Sequence, residues 1–269
     1  MTSGSRAASN GRRPARLSVE ALGKTFFGTG GDRRVVALDG VDLEVGAGEF
    51  VSIVGPSGCG KSTLLDLLAG LLEPTGGRIL LDGTVPDQLL GQLGYMQQRD
   101  LLMPWRTVLD NTIVGLELDG LDRNAAREVA REQLERFGLA GFEDEWPAAL
   151  SGGMRQRAAL LRTFLAGRDA LLLDEPFGAL DAITRAEMQR WLLEICSADR
   201  KTVLLVTHDV EEAIMLSDRV YVMAGRPGRI VDEMPVELSR PRSSSAGSPE
   251  FAALKQSLLA PLAEAAGRT

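Results

Sequence analysis

Nine consecutive residues, Gly55, Pro56, Ser57, Gly58, Cys59, Gly60, Lys61, Ser62 and Thr63, satisfy the spacing G-x-x-x-x-G-K-[ST] in full. Glycines at these places let the backbone curl until successive N–H groups converge on an anion. The lysine can bridge the outer phosphates of a nucleoside triphosphate, and the Ser62 hydroxyl can ligate Mg²⁺. Downstream, ALLLDEP (residues 170–176) runs four apolar residues into two adjacent carboxylates. Alone, such a pair reads as solvated surface charge. Beside a phosphate cradle, Asp174 reads as a Mg²⁺ ligand, direct or through water, and Glu175 as the general base for an attacking water. A third stretch, LSGGMRQR (residues 150–157), sets Ser151 as a helix N-cap, with two glycines that leave backbone N–H groups open to an anion. His208, the only histidine in 269 residues, ends a run of β-branched and aliphatic residues. By itself a lone histidine is more often a surface or packed imidazole than a working group.

These residues require elements that bring them to one place. EFVSIVG (49–55) is a short apolar run ending in glycine, as expected of a buried strand. The leucines of 62–72 recur at helical spacing, so the cradle sits between a strand and a helix N-terminus whose partial positive charge favours anions. Residues 170–174 and 202–207 read as buried strands with their chemistry at the C-terminal ends, where ligands bind in parallel sheets. A helix-like segment at 182–197 separates them, and 219–223 is a further strand. Residues 17–22 and 36–45 alternate apolar and polar around a turn at 28–35, and GRILLDG (77–83) adds another strand. Residues 122–138 place Ala126, Val129, Ala130, Leu134 and Phe137 on one helical face, with Gly138 as C-cap. The alternation predicts an α/β fold, mainly parallel, with helices on both faces. A helical block at about 90–165 interrupts it as a subdomain. Residues 1–16 read as a flexible tail, 240–250 as a connector, and 251–265 as a short amphipathic helix.

Composition narrows the possibilities. Lys and Arg number 30 against 37 Asp and Glu, a net charge of −7, which argues against a nucleic-acid partner. The two cysteines, Cys59 and Cys196, cannot build a disulfide framework and suit a reducing compartment. No stretch approaches the roughly 20 apolar residues of a membrane span. The Arg-, Ser- and Gly-rich first 16 residues lack the apolar segment of a secretory signal. These features predict a soluble, cytoplasmic chain that is still free to dock on a membrane protein.

The ordered set of motifs resembles the ATP-binding-cassette (ABC) ATPases, from residue 17 to about 240. In family order they are the phosphate loop 55–63, Gln98 ahead of Pro104-Trp105, the signature Leu150-Ser151-Gly152-Gly153, the pair Asp174-Glu175, the loop Gly178-Ala179-Leu180-Asp181, and His208. The resemblance implies a P-loop NTPase core with a mainly parallel sheet, an antiparallel β subdomain and an α-helical subdomain. It implies ATP and Mg²⁺ as cofactors and a head-to-tail dimer, of two copies or with a second cassette. In such a dimer Ser151, Gly152, Gly153 and Gln156 of one chain contact the ATP held by residues 55–63 of the other. His208 matches the switch histidine that contacts the γ-phosphate and orients the water polarised by Glu175. Gln98 matches the residue reaching Mg²⁺ and that water, with Gln97 as a competitor. Phe26 matches the aromatic that stacks on adenine, with Phe27 as the alternative. Cys59 falls at a variable place and contributes its backbone N–H, and Asp181 belongs to the loop after the acidic pair.

Within this family, QRDLLMPWRTVLDN (98–111) and GRPGRIVDEMPVELSRPR (225–242) resemble the nitrate, sulfonate and taurine importer group. That implies a subunit at the cytoplasmic face of the membrane, with separate integral-membrane permease subunits and an extracytoplasmic solute-binding protein. Leu101, Leu102, Met103 and Trp105 would form the apolar lip that meets the permease. A soluble non-transport cassette and an exporter cassette are the alternatives.

Overall fold

The computed structural model describes residues 14–28, 34–242 and 247–266. Strands β1 (Leu17–Phe27), β2 (Arg34–Val45), β3 (Phe50–Val54) and β4 (Gly76–Leu81) come first, with helix α1 (Lys61–Leu68) between the last two. Next are β5 (Gly94–Met96) and four helices, α2 (Val108–Thr112), α3 (Val114–Leu118), α4 (Arg123–Leu134) and α5 (Gly152–Leu165). The chain continues through β6 (Ala170–Asp174), α6 (Ala182–Asp199), β7 (Thr202–Thr207), α7 (Val210–Leu216), β8 (Arg219–Ala224), β9 (Arg229–Pro235) and α8 (Pro249–Ala266). Among the described residues no helix is long and apolar enough to cross a membrane.

Two sheets result. The first is antiparallel, in order β2-β1-β4; the second runs β5-β6-β7-β3-β8-β9, parallel except for the last strand. Every residue of β3, β6 and β7 is buried, because helices or the other sheet cover both faces. Continuous aliphatic runs in the sequence are the consequence. Val54 pairs with Thr207, and Asp174 with Val206. This register brings the C-terminal ends of β3, β6 and β7 to one edge, so the residues that follow them must share that edge.

Helices α2 to α5 share a core with one sheet face, centred on Leu109, Phe137, Leu161 and Leu173. Fully burying such a side chain stabilises the fold by about 1.5–3 kcal/mol each. The α4 stripe is buried at Ala126, Ala130 and Leu134, whereas Val129 is largely exposed. The helix stops earlier than expected, at Leu134 with Glu135 as its C-cap, and Gly138, at φ 59, makes the left-handed turn that follows, its N–H donating to the Glu135 carbonyl.

Three segments depart from the sequence pattern. Gly94–Met96 falls inside the block expected to be helical, yet it is a strand paired with β6. A three-residue strand carries no readable period, and Gly94 is there because a Cβ would lie 2.8 Å from Leu171 Cδ2. The last residues of the expected N-terminal tail are tied down: Thr202 Oγ1 donates to the Ala15 carbonyl, and Arg16 pairs with Glu44. Residues 1–13 lie outside the described residues. The start of the expected connector is anchored too. Arg242 is buried and donates to the carbonyls of Ile214, Ser217, Val236 and Leu238. Beyond it α8 packs Phe251 and Leu258 against α7 and β8.

Candidate nucleotide site

The phosphate loop joins β3 to α1. Gly60 takes φ 103 as N-cap and supplies no side-chain bond, so the first N–H groups of α1 face the cleft. Gly58, at φ 78, makes the other left-handed turn. Lys61 is buried, and its Nζ donates to the carbonyls of Gly55 (2.8 Å) and Pro56 (2.9 Å). The loop is therefore closed over its own ammonium, which lies where an anion would be gripped. The cleft, of about 360 Å³, runs from Val35–Ala37 on β2 past Lys61, Ser62 and Thr63 to Gln98 and Glu175. Cys59 is buried beneath the loop. Burial pushes its thiol up, and the neighbouring Lys61 only partly offsets this.

Asp174 and Glu175 are adjacent but face different ways. Burial raises the Asp174 carboxyl above the usual range, against the lowering effect of a hydrogen bond from the Ser62 hydroxyl, while the Glu175 charge adds to the rise. Glu175 has φ 48, and its N–H donates to the Val206 carbonyl (2.8 Å). A non-glycine residue held in this region stores strain, of the kind found at functional sites. The twist swings its carboxylate toward the flanking strands. Gln98 Nε2 donates to Glu175 Oε2 at 3.3 Å, and His208 Nδ1 lies 3.3 Å from the same oxygen. Sheet order explains the grouping: β5 and β7 flank β6, and Gln98 and His208 lie just beyond their ends. Of the two competing glutamines, Gln98 lines the cleft and Gln97 does not.

Ser151 caps α5, its Oγ accepting the Met154 N–H, with Gly152 and Gly153 opening the helix. Gly153 sits against the 178–181 loop, where a Cβ would lie 3.2 Å from Leu180 Cδ2. Gln156 corrects the sequence reading. It is 7% exposed; its Nε2 donates to the Glu175 carbonyl (2.8 Å), and its Oε1 accepts the Ala179 N–H (2.8 Å). Both ends of the amide are engaged within the chain, so it does not face outward to a second copy's ATP. Asp181 caps α6, accepting the N–H groups of Ile183 and Thr184.

The segment after Gln98 is strapped to α5. Arg155 Nε reaches Asp100 Oδ2 (3.1 Å), and Arg162 donates to the carbonyls of Asp100 and Leu101. The buried Asn111 amide bonds Met103, Arg106 and Thr107 backbone groups. Held this way, Trp105 stands 72% exposed and Leu101 is also exposed. Leu102 is a second correction: it is 8% exposed and packs into the helical core, so it forms no part of an outer lip. Met103 is half-buried. Phe26 and Phe27 are both exposed; Phe26 pairs across the sheet with Val35, at the far end of the cleft, and lies under Lys24 Nζ. Sequence reasoning missed Arg155, Arg162 and Asn111, whose bonds join distant or aperiodic segments. It also missed Arg226 and Gly228, which the β8–β9 turn brings onto the phosphate loop. A glycine-proline-glycine cluster at 225–228 was the available signal.

Known proteins resemble this chain along most of its length. Residues 38–178 match the family profile described as ABC transporter. An uncharacterized ABC transporter ATP-binding protein of Methanocaldococcus jannaschii is 47% identical over 248 residues, covering 92% of this chain and 91% of that protein. The aliphatic sulfonates import ATP-binding protein SsuB of Rhodopseudomonas palustris is 47% identical over 255 residues, 94% of this chain and 85% of that protein. Among solved structures, a dimeric ATP-binding cassette bound to ADP and Pi in a post-hydrolysis state is similar with a TM-score of 0.74 and 30% identity. That match covers 83% of this chain and all of the other.

Proposed function

The chain belongs to the ABC transporter family as an ATP-binding, ATP-hydrolysing subunit, and from that premise we propose that it energises uptake of a small solute of the sulfonate, taurine or nitrate kind. It would do so as a head-to-tail pair of cassettes on the cytoplasmic face of a separate permease, supplied by an extracytoplasmic solute-binding protein. The observation that supports this most is the sulfonate-import relative, alike along 94% of the chain. The exposed Trp105 and Leu101, set on a strapped loop that begins at Gln98, fit a surface that meets the permease and reports to the nucleotide.

Lys61 gives up the Gly55 and Pro56 carbonyls for phosphate oxygens, while the N–H groups of the loop and of α1 hold the rest of the phosphate chain. The donor set fits Mg²⁺. Asp174 is a buried carboxylate facing the Ser62 hydroxyl, and one carboxylate plus nucleotide oxygens is how this ion is usually held. Ser62, Asp174 and Gln98 would hold it, and when bound it supplies neutralisation of phosphate charge. Glu175, between Gln98 and His208, accepts a proton from the attacking water. His208 orients that water and bonds the γ-phosphate. Ser151, Gly152 and Gly153 face the nucleotide of the other copy.

Glu175→Gln tests the chemistry. It should retain Mg·ATP, lose turnover and shift to a dimer in size-exclusion chromatography with light scattering. A variant that stays monomeric at saturating ATP, or turns over like the wild type, would overturn the role of Glu175. For the transport half, the complex purified with its permease and binding protein should show ATPase activity stimulated by a sulfonate, taurine or nitrate. No stimulation by any of the three would reject this solute class.

A further inference from the structure

We propose that Arg226 is a phosphate-contacting residue of the nucleotide site, a second cation bearing on the bound nucleotide alongside Lys61. The proposal rests on the nucleotide occupying the cleft at Lys61. Arg226 sits in the turn between β8 and β9, and that turn is pinned to β2. The Gly228 N–H donates to the Ala37 carbonyl (2.9 Å), and the Asp39 N–H to the Gly228 carbonyl (3.2 Å). From this base the guanidinium reaches over the phosphate loop and lines the same cleft as Lys61, Ser62 and Thr63.

Its bonding state sets it apart. The arginines on these strands have carboxylate partners, Arg219 with Glu49 and Arg229 with Asp39, and so does Arg240 just beyond them, with Asp218. Arg226 is exposed and forms no ion pair with a carboxylate among the described residues. Its hydrogen bond, from Nη2 to the Ser57 carbonyl, is 3.4 Å long, beyond the usual 2.7–3.2 Å. A guanidinium carries five donors in a planar fork that suits phosphate oxygens, and here they are largely unused. The loop also makes room for it. A Cβ on Gly58 would fall 2.4 Å from Arg226 Nη2, so glycine at this position keeps the guanidinium against the rim. A weakly engaged cation, fixed at its root and aimed along the wall of a phosphate cleft, is a contact waiting for an anion.

Arg226→Gln is the informative variant, because it keeps a polar, unbranched side chain on the same root while the charge and the planar fork are gone. Affinities for ATP, ADP and adenosine would be measured by displacement of a fluorescent nucleotide, at low and high salt, with a melting curve for each variant. The expected result is ATP and ADP binding weakened about fivefold to twentyfold, with adenosine unchanged. The salt dependence of ATP binding should be shallower than in the wild type. ATP and ADP affinities within twofold of wild type would overturn the proposal. If the variant melts lower, the salt dependence decides, and an unchanged slope overturns it. Lys61→Ala separates the two levels. If it abolishes ATP binding while Arg226→Gln does not, only the Arg226 role fails; if Lys61→Ala binds ATP normally, the site itself is misassigned.

Discussion

Gly228→Ala should damage nucleotide binding from outside the motif. Gly228 has an ordinary backbone φ, so alanine brings no intrinsic strain there, and the effect is purely steric. The new Cβ would lie 1.9 Å from the Cys59 carbonyl oxygen and 2.6 Å from Met223 Cε. Methionine can turn away, but the Cys59 carbonyl is phosphate-loop backbone. Bringing that contact out to about 3.0 Å, the floor for real Cβ contacts, requires a shift of about 1.1 Å (3.0 − 1.9). Overpacking of this kind costs about 1–3 kcal/mol. If it falls on the loop, the converging N–H groups lose alignment and ATP affinity drops about fivefold to 150-fold. Titration with a fluorescent ATP analogue, beside a melting curve, reads both halves of the cost. Gly76→Ala on β4, where a Cβ meets nothing within 4 Å, is the control. A Gly228→Ala protein with wild-type melting temperature and ATP affinity within twofold would refute the argument.

Other expectations follow from single contacts. His208→Ala should keep ATP affinity and lose about 10²-fold or more in turnover, and the lone imidazole's NMR signals should shift when a non-hydrolysable ATP analogue and Mg²⁺ form the dimer. Unshifted signals in that dimer would remove His208 from the site. Burial raises the Asp110 carboxyl, but hydrogen bonds from Arg123 and Arg127 outweigh it and hold it below the usual range. Asp110 therefore stabilises the fold above the unfolded carboxyl's pKa of about 3.9, and that stability is lost as pH falls through the lower folded value. Asp110→Asn should cost about 1–3 kcal/mol at neutral pH and flatten the acid limb of the melting curve; an unchanged limb would contradict this. Trp105→Ala should leave melting temperature and basal ATPase unaltered while weakening permease assembly, and a misfolded variant would instead make Trp105 a packing residue.

The chemistry was legible where residue type and strand context coincided. The phosphate loop, Asp174, Glu175 and His208 each follow an aliphatic run, and a parallel sheet brings the ends of such runs together. Gln98 was harder to place, since β5 is only three residues long and carries no period. What escaped was contact across the chain. Gln156 looks like part of an outward-facing signature, and only packing shows its amide bridging α5 to Glu175 and Ala179. Leu102 and Trp105 are both apolar residues in one loop, yet Asn111 and two arginines decide which is buried. Arg226 is 169 residues from Ser57, and its position over the loop depends on β3–β8 pairing rather than on any local pattern.

The Gln156 bridge has a consequence for how two copies would fire. In a head-to-tail pair, the Ser151 end of α5 attends to one nucleotide, while Glu175 in the same chain attends to the other. Gln156 links these two ends by a single amide, five residues along the helix from Ser151. Engagement of the signature by the partner's ATP would then be felt at the Glu175 carbonyl of the opposite site across about one and a half turns of helix. A mixed dimer with one Gln156→Ala copy would show its defect at both active sites, through a coupling energy carried by one side chain.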